Sequence, residues 1–211
     1  NEINRLGGRI FSIENYKRHP LKACMKLNDL LNKENYDIVH VHMQSAANLI
    51  PIIIPYIHQK EVVIAHSHSS STPKGMLRKF LNGLNVNLLR KLNIEKWACG
   101  STAGVWMWGN TFDKDDIIPN AIEVDSFKYD EVVRNKIRKK CGILEDEKVI
   151  GFVGRFGDEK NTFFLIDVLK ELLKKRANYK LLTVGGNGLY DEFIKKIKQC
   201  ILHCFKNFLR K

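Results

Sequence analysis

KVIGFVGRFGDEKNTFFLIDVLKELLKKR, residues 148–176, decides the fold. An apolar run reaches Gly154, a small polar loop follows, and from Thr162 the chain turns helical. That order reads as a buried strand, a loop at its carboxyl end, and an amphipathic helix. The loop sets two cations, Arg155 and Lys160, five residues apart at the strand tip.

Working outward, the same alternation fills the chain. GRIFSI, YDIVHVH, EVVIAHS, KWACGS, DIIPN, KVIGFVG and YKLLTVGG read as strands. Helical stretches lie between them, among them LKACMKLNDLLNKE, QSAANLIPIIIPYIHQ, DEVVRNKIRKKCG and YDEFIKKIKQ. In GMLRKFLNGLNVNLLRKL, Leu77, Phe80, Leu81, Leu84, Leu88 and Leu92 share one face, which reads as an ordinary half-buried helix. Strand and helix in repeated succession imply an α/β fold with doubly wound parallel sheets. GILEDE, near residues 142–147, marks a boundary between a first unit, 1–145, and a second, 146–211. The second then has only two strands, fewer than such a unit needs to close a core.

The chain has 211 residues, 44% of them hydrophobic, enough for one domain or two small ones. No apolar stretch approaches the roughly 18 residues of a spanning helix, and NEINRLGGRIF shows no export signal. Five scattered cysteines fit reduced thiols in a cytoplasmic protein. Cys200, His203 and Cys204 lie close together but lack a fourth ligand, so no metal is expected. A net charge of +12 calls for an acidic partner. The cations sit on separate helices with no aromatic ladder, which argues against nucleic acid and leaves phosphorylated ligands or an anionic membrane surface.

In an open α/β sheet, ligands gather at the carboxyl ends of the strands. There Arg155 can fork onto phosphate oxygens, Lys160 adds a point charge, and Gly154 lets backbone approach a ligand. The plain alternative is two exposed cations paired with Asp158 and Glu159. VVIAHSHSSS puts His66 and His68 at a second strand end, where imidazole can donate to a hydroxyl or move a proton. In YDIVHVH, His40 and His42 share one strand face, and one of them reads as buried and hydrogen-bonded. TVGGNGLYDEF offers Gly185, Gly186 and Gly188 but misses the dinucleotide fingerprint, since position 191 is Asp. A tight strand-to-helix turn explains it equally well.

Taken in order, YDIVHVH, VVIAHSHSSS, ACGSTAGVWMWG, IIPNAIEVDSF, GFVGRFGDEKN and LLTVGGNGLYDEF resemble the family-4 bacterial glycosyltransferases of the GT-B fold, of the capsular and exopolysaccharide type. The resemblance runs to about residue 199. It implies an acceptor-side Rossmann-like domain followed by a nucleotide-sugar-binding one. It implies further that Arg155 and Lys160 hold the donor diphosphate, that His68 approaches the transferred sugar with His66 second for that role, and that transfer is retaining and metal-independent. No cofactor is expected beyond the donor, a UDP-sugar, and the acceptor is expected to be lipid-linked glycan or polysaccharide. The implied location is cytoplasmic, with peripheral contact at the inner face of the membrane through the helix near 76–92.

Two features depart from the family pattern: its first strand with a glycine-rich loop, and its Glu-x7-Glu region, are not found. The tail CILHCFKNFLRK also breaks the pattern. The expectation is therefore an incomplete second domain and an inactive fragment. The alternative is a non-catalytic half of a split transferase that binds acceptor or partner.

Overall fold

Two separate three-stranded parallel sheets organise the chain. The computed structural model describes residues 2–59, 62–175, 178–186, 188–201 and 205–209. Contacts divide it into two units, Asn1–Ile122 and Glu123–Lys211.

The first unit runs α1 (Glu2–Arg5), α2 (Pro20–Lys33), β1 (Ile38–Met43), α3 (Ile50–Ile57), β2 (Val62–Ser67), α4 (Met76–Lys91), β3 (Glu95–Ala98) and α5 (Ser101–Trp108). The strands stand in the order β1-β2-β3, with Ile38 opposite Val62 and His42 opposite His66. Parallel strands joined through helices align their carboxyl ends along one edge. Strand alternation sends Met43, Val63 and Ala65 to one face, where they pack with Ile52, Leu89 and Met107. The opposite face carries His40, His42 and His66.

Two expected strands of this unit differ. GRIFSI is irregular, and Ile10 and Phe11 stay exposed, so the segment gains neither ladder nor burial. DIIPN contributes a single bridge, Ala98 to Ile117, that continues the sheet beside β3.

Helix α4 also differs from its expected orientation. Only Leu89 is buried, while Met76, Leu77, Phe80, Leu84 and Leu88 face outward. The reason lies in two asparagines on the inner side. Asn82 Oδ1 accepts from the Ala46 amide at 2.8 Å, and Asn85 Nδ2 donates to the Ala46 carbonyl at 2.8 Å. The loop after β1 buries these backbone groups, and satisfying them outweighs turning the leucines inward.

The second unit runs α6 (Glu131–Cys141), β4 (Lys148–Val153), α7 (Phe164–Lys174), β5 (Tyr179–Val184), α8 (Tyr190–Ile201) and β6 (Phe205–Leu209). Its sheet order is β4-β5-β6, so the tail that breaks the sequence pattern supplies a third parallel strand. Asp130 caps α6 by accepting from the Val133 amide at 2.8 Å, and Gly142 ends it at φ 60°. Arg138 then donates to the Glu147 carbonyl at 2.8 Å, tying α6 to the entry of β4. That tie places α6 in the second unit, and the division falls ahead of the expected one at 145/146.

Candidate functional site

In the second unit, the loop after β4 is held by the residue between its charged members. Phe156 is 1% exposed, and its ring centroid lies 4.9 Å from that of Phe193 and 5.0 Å from that of Tyr190. Burying such a side chain contributes about 1.5–3 kcal/mol, enough to fix the loop on the sheet edge. Alternation about this anchor turns Arg155 outward, with 78% of its side chain exposed. Its guanidinium approaches Glu159 Oε1 at 3.4 Å, the pairing that sequence reading weighed against a ligand role. An exposed pair of this kind is worth only about 0–1 kcal/mol, so an incoming anion can displace it. Lys160 closes a 3-10 turn, Asp158–Lys160, and is exposed. Next to it Thr162 is 1% exposed, and its hydroxyl has no hydrogen-bond partner.

Gly185 and Gly188 serve the neighbouring loop for a reason the sequence does not state. A Cβ on Gly185 would meet the Gly154 carbonyl oxygen at 2.1 Å, and one on Gly188 the Phe156 carbonyl oxygen at 2.2 Å. Both have positive φ, 130° and 59°. The Gly154 amide donates to the Val184 carbonyl at 3.0 Å, and the Leu189 amide to the Phe156 carbonyl at 2.8 Å. The glycines thus let two strand-end loops interlock.

In the first unit, parallel register gathers four imidazoles at the carboxyl edge. His40 Nε2 lies 3.2 Å from His66 Nδ1, and His42 Nδ1 lies 2.7 Å from His68 Nε2. Both histidines of YDIVHVH are therefore hydrogen-bonded, as expected of one, but neither is buried. His66 is the buried member at 4% exposure, since β1 and β3 flank it. Burial lowers the pKa of His66, His40 and His68 below the ordinary histidine value, and neighbouring imidazoles lower each further. The Asn120 side chain opposes this at His68. Asn120 belongs to the IIPNAIEVDSF segment, yet its side-chain role is not readable without the bridge at Ile117 that brings it to this edge.

A recess of about 520 Å³ is lined by Ser70, two residues after His68, and by Ser101, Thr102, Val105 and Trp106. Three hydroxyls and an indole suit a polyhydroxylated ligand. Another cavity, about 500 Å³, lies at the far end of α5 and holds none of the site residues named from sequence.

Residues 133–209 match the family Glycosyl transferases group 1. Most of the second unit is therefore similar to a group 1 glycosyltransferase domain. The match spans the loop with Arg155 and Lys160, and it reaches through the tail strand β6. Over 208 residues the chain is 26% identical to the protein named glycosyltransferase EpsF of Bacillus subtilis (strain 168), covering 94% of this chain and 53% of that protein. UDP-GlcNAc 2-epimerase from Neisseria meningitidis, bound to UDP-GlcNAc, superposes with a TM-score of 0.57 at 13% identity, over 99% of this chain and 60% of that one. The catalytic domain of starch synthase IV from Arabidopsis thaliana, bound to ADP and acarbose, gives 0.55 at 14% identity, over 97% and 54%. These superpositions establish a GT-B-type α/β fold with parallel, Rossmann-like sheets. The chain spans about half the length of EpsF. Among the described residues, no helix is long and apolar enough to cross a membrane.

Proposed function

We propose that this chain is part of a glycosyltransferase that moves a sugar from a nucleotide-sugar donor, a UDP-sugar, to a lipid-linked or polysaccharide acceptor in cell-surface polysaccharide assembly. One observation carries the proposal: the group 1 match covers a strand-end loop whose Arg155 is exposed and, among the described residues, paired through its side chain only with exposed Glu159. Arg155 and Lys160 would receive the donor diphosphate. As the bond between sugar and phosphate breaks, negative charge grows on the departing nucleoside diphosphate. The two cations, carried on a loop anchored by Phe156, would stabilise that charge without a metal, with retention of anomeric configuration. His68, two residues before the Ser70 of the hydroxyl-lined recess, would approach the acceptor and the transferred sugar, with His66 second for that role. The epimerase and synthase neighbours share the fold, and their nucleotide ligands support UDP or a related diphosphate as the probe.

Calorimetric titration with UDP tests this reading. Arg155→Ala and Lys160→Ala should each weaken UDP binding about 10- to 100-fold, the cost of losing a hydrogen bond to a charged group. UDP binding that is absent, or indifferent to both substitutions, would overturn it. Because the chain spans 53% of EpsF, transfer is proposed for the whole enzyme, and this chain alone should show no turnover of any nucleotide sugar. Measured turnover would contradict that.

The outward face of α4 supports contact with anionic lipid. Its exposed Met76, Leu77, Phe80, Leu84 and Leu88 run along a helix that carries Arg78, Lys79, Arg90 and Lys91 and no acidic residue. Flotation with anionic but not neutral liposomes is the expected result. Equal behaviour with both would remove this part of the proposal.

A further inference from the structure

The imidazole cluster on the open face of the first sheet has more coordinating capacity than contact with an acceptor requires. We propose that His40, His42 and His66 form a binding site for a divalent transition-metal ion of the zinc type, with His68 orienting His42 from outside the ligand set. The inference stands apart from donor binding, which belongs to the other unit.

Three observations support it. Each of the three residues offers a ring nitrogen, and these atoms lie within 4.8 Å of one another. The His40 and His66 nitrogens are 3.2 Å apart. Adjacent ligands of tetrahedral zinc, at bond lengths of about 2.0–2.1 Å, stand roughly 3.3 Å apart. The contact between His42 and His68, 2.7 Å, is too short for two ligands of one ion and has the length of a hydrogen bond. That is the arrangement by which an outer residue fixes the tautomer and aim of a metal-bound histidine.

Sequence and register make the cluster rigid. His40 and His42 are two residues apart on β1, His66 lies directly opposite His42, and the Trp97 ring meets His40 edge-on at 5.3 Å. The donors are all imidazole, which suits zinc, nickel or copper and disfavours magnesium and calcium. Three protein ligands would leave a fourth position for water or a ligand hydroxyl beside His68.

The test uses the full chain without a histidine tag, stripped with chelator and titrated with Zn²⁺. One equivalent should bind, Mg²⁺ should not replace it, and Co²⁺ should give a tetrahedral absorption band without a thiolate charge-transfer band. His40→Asn and His42→Asn alter exposed side chains and should abolish stoichiometric uptake with the circular dichroism unchanged. His68→Asn should weaken it about 10- to 100-fold. His66→Asn serves only as a supporting variant, because that position is buried. Absence of zinc uptake by the wild-type chain would overturn the proposal. So would uptake undiminished by His40→Asn and His42→Asn, which would assign the ion elsewhere, for instance to Cys200, His203 and Cys204.

Discussion

At the scale of single residues, a methyl group is enough to test how the second unit's loops are held. Gly185→Ala drives a Cβ into the Gly154 carbonyl from a backbone with positive φ, and it should lower unfolding free energy by about 1–3 kcal/mol in urea titration. Gly186→Ala, with open space around its Cβ, should be close to neutral. Glu147 offers a pH test. Its carboxylate accepts from the Leu144 amide at 2.7 Å and meets Lys180 Nζ at 3.1 Å, and the amide first, the lysine second, lower its pKa below 4.5. A depressed carboxylate contributes stability that is present above its unfolded pKa and is lost as pH falls through the folded one. Glu147→Gln should therefore reduce the urea midpoint at neutral pH, and the gap to wild type should shrink below pH 4.5. The sequence made the pair Arg155 and Lys160 visible, because charge and strand-end position are local properties. It hid Phe156, the anchor of their loop, because an aromatic between polar residues looks the same whether it points in or out. It also hid the imidazole cluster, since pairing His42 with His66 depends on register, which no local pattern specifies.

At the scale of elements, α4 shows how periodicity identifies a helix without fixing which face is inward. The leucine spacing is helical as read, yet two asparagines bonded to Ala46 turn the leucines to the outside. Asn82→Ala and Asn85→Ala should each cost about 1–3 kcal/mol, because each leaves a buried backbone group of Ala46 without its partner. Leu84→Ser and Leu88→Ser should cost little stability and should reduce liposome flotation. Removing an outward leucine and finding a loss of several kcal/mol would mean that this face is covered. Strands followed the same logic: those with β-branched runs and a neighbour to pair with are strands, while GRIFSI, equally apolar in pattern, has no such neighbour among the described residues. Pairing decides strands, and pairing is a long-range property.

At the scale of the molecule, the division into two units is open to protease. Ile122, Val124, Phe127 and Tyr129 are exposed; Leu144 in GILEDE is exposed too, but its amide donates to the Glu147 carboxylate, Arg138 holds the Glu147 carbonyl, and Ile143 and Glu147 are buried. Chymotrypsin under native conditions should cut first between residues 122 and 130 and leave 142–147 intact; first cleavage in GILEDE would restore the boundary expected from sequence. Alternating strand and helix signals made the α/β class and its parallel sheets readable, and the ordered succession of short motifs pointed to the glycosyltransferase group that the comparison with residues 133–209 supports. The tail was misread because FKNFL mixes charge with aromatics and carries no clean period, so its place beside β5 comes only from the sheet waiting for it.

The interlock of the two glycine-bearing loops has a consequence for chimeras. Gly154 and Phe156 bond main chain to main chain with Val184 and Leu189, so neither loop can change shape alone. Grafting only one of them from a distant relative should yield insoluble protein, while exchanging both together should be tolerated. Inheritance would then treat these distant segments as a single unit of variation.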